Sequence, residues 1–324
     1  MKLIAAIAAA LVSALWAPLA GAQAPFPSRT VNIINPNAPG GTSDIIGHGM
    51  TESLRQAFRQ PVIMTNRVGA GGAVGGAYVA QAAPDGYTVL LNTVTHVLIP
   101  ITDKVIGRAS GYAVDDLVLL ARITADPMLL VVHSSVPART VKELVAQAKA
   151  KPGELVYSST GLYGSAHVAM AMLMRAADTS LLHSPFNGAG PAMTAVLGNH
   201  ANAFFAPAGV ASPHVQGGRV RSLAQTGPQR VALFPDTPTL KEEGYDVDLT
   251  LWAGYFAPVK TPATAVRAWQ AALRESAQDP KFRDAMSKIS VTVDYLDGDA
   301  LIAWYENELK RLDREIRAIG KIEK

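Results

Sequence analysis

Three glycine-marked turns hold the residue types that could do chemistry: Pro39-Gly40-Gly41-Thr42-Ser43-Asp44, Ser158 to His167 (SSTGLYGSAH), and Asn187 to Met193 (NGAGPAM). Each follows a short strand-like run and precedes an apolar stretch of helical period. At such a junction glycines let the backbone approach a ligand and hydroxyls cap or donate. The unpaired N–H groups of the first helical turn, with the helix dipole, favour a negative group nearby. A tight strand-to-helix turn that holds nothing uses the same residues, and Asp44 alone is a good dipole partner. Repetition favours a site, because three such turns can converge on one cleft. None carries a strong nucleophile, so the chemistry they point to is recognition of an anion rather than reaction.

Templates for other chemistries fail. Gly69 to Gly76 (GAGGAVGG) lacks the G-x-G-x-x-G spacing, because the third position counted from Gly69 and Gly71 is Val74. The next strand-like run ends at Asn92 without an acid for a ribose hydroxyl, and no G-K-[ST] occurs. There is no G-x-S-x-G elbow. Seven histidines stand singly at 48, 96, 133, 167, 183, 200 and 214, with no H-E-x-x-H pattern, so neither metal nor cofactor is expected. His167 in a first helical turn either faces a ligand or is a structural histidine. The Met170, Met172, Met174 series points around its helix and reads as packing. Trp252 and Tyr255 read as a pocket wall or as hinge packing.

The elements that position these turns alternate. Val31–Asn35 reads as a strand and Ser43–Arg59 as a helix, with Ile46, Met50, Leu54 and Phe58 four apart. PVIMTN, DGYTVLLNT, ELVYSST, SLLHSPF, ANAFFAP and VRSLAQT read as further strands, which makes the chain α/β. Tyr305, Leu309, Leu312, Ile316 and Ile319 mark a last helix that Gly320 can end. Two long extended segments, LLARITADPMLLVVHSSVP and DLTLWAGYFAPVKTP, suit the two crossings between lobes of a clamshell.

The start of the chain bears on location. Lys2, the apolar run Leu3–Ala17 and Ala20-Gly21-Ala22 form a signal-peptide pattern with cleavage after Ala22. The apolar run is too short to span a bilayer. A secreted or periplasmic protein is expected. Losing the first 22 of 324 residues leaves 302 with a formal charge of +2, scattered without a Lys/Arg run, so nucleic acid is a poor partner. Cysteine is absent, which removes disulfides, thiol catalysis and thiolate metal sites. Hydrophobic residues make up 49% of the chain and charged residues 17%, enough for a substantial core.

In order along the chain, FPSRTVNIINPNAPGGTSDIIG, NRVGAGGAVGG, APDGYTVLL, the SSTG.YGSAH segment, HSPFNGAGPAM, RVRSLAQTGPQRVALFPDTPTLKEEGY and W.GYFAPVKTP resemble the extracytoplasmic solute receptors of tripartite tricarboxylate transporters, the Bug receptors. The resemblance covers essentially the whole mature chain. It implies a type II periplasmic binding protein, a two-lobed Venus-flytrap clamshell acting as a monomer. The ligand would be a small mono- or dicarboxylate, aliphatic or aromatic, passed on to membrane permease subunits. By position it divides the chain into the signal peptide 1–22, lobe 1 at 23–124 plus 248–324, and lobe 2 at 125–247. It assigns the ligand to Pro39, Gly40, Gly41, Thr42, Ser43 and Asp44, to Ser158, Ser159, Gly164, Ser165 and His167, and to Thr93–His96 at the end of a cleft strand. The chain departs from the family pattern at Thr42 (usually glycine), Ser43 (threonine), Val68 (proline) and Ala206 (often aspartate). Without a carboxylate at Ala206 nothing obvious meets a ligand ammonium, so a carboxylate lacking an amino group is expected. A sensory receptor signalling to a membrane kinase would use the same clamshell. A periplasmic hydrolase using His167 with Ser165 or Ser159 is the rival from another class.

Overall fold

A computed structural model describes residues 25–231 and 234–321; the expected signal sequence and cleavage site lie outside the described residues. Strand β1 (Val31–Asn35) pairs in parallel with β2 (Val62–Asn66) and β3 (Thr88–Thr93). Helix α1 (Thr42–Phe58) joins the first two, and the short α2 (Ala73–Ala80) joins β2 to β3. Ile46, Met50, Leu54 and Phe58 form the buried stripe of α1, as their spacing predicts.

The mid-chain apolar segment is one strand, β4, running 17 residues from Leu117 to His133. Its first part pairs antiparallel with β9 (Thr250–Pro258), from Leu117↔Pro258 to Pro127↔Thr250. β9 continues onto β3. The second part of β4 pairs with β7 (Ala203–Pro207) and β8 (Val220–Gln225), starting at Met128↔Pro207. β7 leads on to β5 (Val156–Ser159) and β6 (Leu182–Pro185). The partners of β4 therefore change between Pro127 and Met128. Two α/β halves share that strand, with a cleft between the loops on either side. The polar Thr124–Pro127 stretch marks the passage, where Asp126 accepts from the Thr292 N–H at 2.8 Å just before β10 (Val293–Leu296).

Helix α3 (Thr95–Val105) differs from the expectation that Thr93–His96 ends a cleft strand. The strand stops at Thr93, and His96 lies in the first turn of α3, fully buried. Pro100 within α3 explains the difference, since it removes the N–H that would bond the carbonyl four residues back and so argues against a helix. That carbonyl, on His96, accepts the Tyr112 hydroxyl instead at 2.8 Å. α4 (Val141–Ala150), α5 (Ser165–Ala177), α6 (Ala189–Leu197) and α7 (Ala208–Gln216) cover the second half. α8 (Ala263–Gln278) and α9 (Pro280–Lys288) pack on α1. The last helix, α10 (Gly298–Ile319), is anchored by Trp252 Nε1 donating to Glu308 Oε1 at 3.1 Å and ends at Gly320. Trp252 is core, edge-on to Trp304 and Tyr305, and Tyr255 packs against Trp269; neither forms a pocket wall.

Candidate functional site

The β1–α1 loop is built around Asp44. Its Oδ2 accepts the Gly40 N–H at 3.0 Å, and its Oδ1 faces the amides of Asn35 and Asn66, each at 3.3 Å. Ser43 Oγ donates to Asn35 Oδ1 at 2.7 Å and accepts from Asn37 Nδ2 at 3.1 Å. Gly40, at φ 80, makes the left-handed step that aims the turn at Asp44. Asp44 thus organises the loop from behind, and Ser43 Oγ is also spent within it.

Across the cleft, the β5–α5 loop is wired in the same way. Ser158 Oγ donates to Ala192 O at 3.0 Å, and Ser159 Oγ accepts from Gly161 N at 3.2 Å and lies 2.6 Å from His183 Nε2. His167 Nδ1 accepts the Tyr163 N–H at 2.8 Å. Of the expected contacts from this half, Ser165 alone lines the cavity between the halves; Ser158, Ser159, Gly164 and His167 stand behind it. Ala206 is buried in the sheet one residue before Pro207, which does line it. Pro39 lies at a separate groove with Phe186 and Gly190.

The cavity measures about 20 Å³ and is ringed by helix starts. Gly41, Thr42 and Ser43 open α1; Thr93 and Thr95 flank the start of α3; Ser165 opens α5, Ala189 opens α6, and Pro207 precedes α7. None of the five N-cap residues bonds its own helix through a side chain. Thr140 and Asp279 do so at α4 and α9, outside the cavity. Each helix start carries about half a positive charge on its free N–H groups. Among the described residues no charged side chain lines the cavity. Thr42 Oγ1 and Thr160 Oγ1 are buried there without a hydrogen-bond partner. Backbone amides and hydroxyls converging on an uncharged pocket suit a small anion with several acceptor oxygens. Among the described residues no cluster of three or more His, Cys, Asp or Glu could hold a metal.

The halves meet on both sides of the cavity. Ala38 N donates to Asn187 O at 3.0 Å, and Ser165 N donates to Thr95 Oγ1 at 3.3 Å. A Cβ on Gly161 would lie 2.6 Å from Gly71 Cα, and one on Gly190 would lie 2.7 Å from Pro39 O. These side-chain-free contacts let the two backbones touch. Thr95, Thr160 and Asn37 also line the cavity; Thr95 and Thr160 fall within the expected Thr93–His96 and Ser158–His167 segments, whereas Asn37 lies just before the expected Pro39–Asp44 turn. Thr95 opens α3, so the segment expected at the end of a strand enters the site as a helix start.

The rival Ser–His arrangement also differs. Ser159 is paired with His183 rather than His167, and among the described residues no carboxylate hydrogen-bonds either ring.

Comparison with known proteins agrees with this geometry. The sequence pattern of the tripartite tricarboxylate transporter family receptor (TctC) matches residues 46–321. A Cupriavidus necator protein, the UPF0065 protein in gbd 5'region, is 31% identical over 318 residues, 98% of this chain and 95% of its own. Among solved structures, the periplasmic binding protein BugD is 27% identical with a TM-score of 0.84, covering 91% of this chain and 98% of its own. MatC from Rhodopseudomonas palustris, solved with bound malate, shares the fold at TM-score 0.84 and 23% identity, over 91% of this chain and 100% of its own. With the fold and the matched span together, the chain belongs to the TctC family of solute-binding receptors and has their two-lobed periplasmic binding-protein fold.

Proposed function

We propose that this protein is a periplasmic receptor that closes over a small organic carboxylate and delivers it to a tripartite tricarboxylate-type permease. One observation carries the reading: five helix starts, none capped by the side chain of its own N-cap residue, surround a cavity that no charged side chain among the described residues lines. The signal sequence at 1–22 supports export. Lobe 1 comprises 23–124 plus 248–324 and lobe 2 comprises 125–247; the change of β4 partners after Pro127 and the start of β9 at Thr250 support that division. The structural neighbour solved with bound malate supports the ligand class. No carboxylate lines the cavity to meet an ammonium, which favours a plain or hydroxylated mono- or dicarboxylate over an amino acid.

A thermal-shift panel of organic acids tests this. A true ligand at about 100 times its Kd stabilises by about 2.7 kcal/mol. Stabilisation by glutamate or aspartate above every plain carboxylate refutes the refinement. Stabilisation by no acid at all refutes the reading. Turnover of any bound acid would favour the hydrolase.

A further inference from the structure

The β5–α5 loop takes its shape from two imidazoles that touch no ligand-facing surface. Gly161 at φ 128 and Tyr163 at φ 59 both lie in the left-handed region, which the tyrosine would not hold unaided. Each N–H is tied back by a side chain: Tyr163 N to His167 Nδ1 at 2.8 Å, and Gly161 N to Ser159 Oγ at 3.2 Å, itself 2.6 Å from His183 Nε2. The two rings stack with centroids 4.0 Å apart and planes within 2°, and Tyr157 extends the stack beyond His183 at 4.9 Å.

We propose that His167 and His183 form a stacked positioning pair for the binding loop, with His167 neutral as its Nε2–H tautomer. A ring nitrogen that accepts an amide N–H cannot carry a proton, so Nδ1 is bare and Nε2 holds the hydrogen. A second charge at this spacing would also be repelled by the first. Burial, with the neighbouring His183 adding to it, pushes His167 down to about 3, which keeps the ring neutral at working pH. The pair acts on binding through three neighbours. Thr160 lines the cavity, Gly161 rests on the Gly71 backbone across the cleft, and the Tyr163 ring lies 5.4 Å from the Arg108 guanidinium. A loop released from the rings misplaces all three at once.

The affinity part of this rests on the solute-binding reading; the loop part does not. The test uses ligand-free mature protein labelled for histidine and backbone NMR, with His167→Asn, which places an acceptor near Nδ1, and His167→Phe, which keeps the stack but accepts nothing. The expected results are an Nε2–H signature for His167 and amide exchange at Tyr163 at least about tenfold faster in H167F. H167N should retain the wild-type rate. An Nδ1–H tautomer, or Tyr163 exchange unchanged in H167F, overturns the proposal. If H167F fails to fold, H167N exchanging at the unprotected rate overturns it alone. Calorimetry with malate follows: H167F should bind about tenfold more weakly, with H167N near wild type. Wild type that ignores malate counts against the carboxylate class and leaves the NMR result for the loop standing.

Discussion

Gly190→Ala separates folding from closure. Gly190 is the second residue of α6, and its backbone is not in the left-handed region, so alanine fits the helix and adds at most about 1 kcal/mol of propensity. The new Cβ, however, would lie 2.7 Å from Pro39 O and 3.4 Å from Gly40 C, both backbone atoms of the opposing loop. The loops must part by about 0.5 Å, and a gap of about 0.5–1 Å already forfeits a quarter to a half of each dispersion contact. The same separation stretches Ala38 N to Asn187 O and Ser165 N to Thr95 Oγ1, now 3.0 and 3.3 Å. Losing one or both, at about 1 kcal/mol each, weakens binding by about five- to thirtyfold. Isothermal titration gives the affinity, a melt of the ligand-free protein gives the stability, and small-angle scattering gives the closure. The expected outcome is an unchanged or higher melting temperature, lower affinity and a more open particle. Wild-type affinity in a fully closed particle would refute the view that closure needs a side-chain-free seam.

Other perturbations probe other layers. Asp44→Ala leaves the Gly40 N–H and the Asn35 amide without their acceptor and removes one of two from the Asn66 amide, so stability should fall by about 1–3 kcal/mol in urea melts and ligand affinity with it. Tyr112→Phe orphans the His96 carbonyl at a cost of about 1–2 kcal/mol, and Pro100→Ala supplies a helical N–H to the same oxygen. The double variant should therefore lose less than the sum of the singles in a thermodynamic cycle, and strict additivity would refute the pairing. On acidification, His96 and His167, both pushed down to about 3 by burial, stay neutral while the unfolded chain takes up protons near 6.5. Stability should then fall by about 1.4 kcal/mol per pH unit for each ring below pH 6.5. Asp126, raised to about 6 by burial, acts oppositely: below pH 6 the folded state binds that proton before the unfolded state does and offsets one ring. Urea midpoints at pH 6.5, 5.5 and 4.5 should decline steadily; flat midpoints would mean the rings are not buried neutral.

Much of the fold is legible in the sequence because it rests on periodicity. The four-residue spacing from Ile46 to Phe58 and the stripe ending at Ile319 are local signals of buried helix faces, and both helices form. α3 is not legible, because Pro100 and a run of β-branched residues argue locally for extended chain; tertiary contacts, including the Tyr112 hydroxyl, outweigh that preference. The site divides along the same line. Gly41, Thr42, Ser43, Thr93 and Ser165, all within the expected segments, line the cavity. Asp44, Ser158, Ser159 and His167 have residue types that suit a ligand, but their polar atoms are consumed within the loops, which spacing cannot reveal. Asn37 joins the lining from just before the expected turn, held by its bond to Ser43 Oγ, which no short motif records.

β4 runs unbroken from one half into the other, bonded to β9 and β10 on one stretch and to β7 and β8 on the next. A pleated ribbon clamped at both ends cannot swivel freely as a glycine linker would; it bends and twists like a leaf spring. Its register slips at Leu119/Ala121, Arg122/Thr124 and Leu130/Val131 are places where such flexure concentrates. Any movement of one half against the other would have to flex this strand, which would resist it. Two halves joined in this way would keep to a narrow family of relative postures.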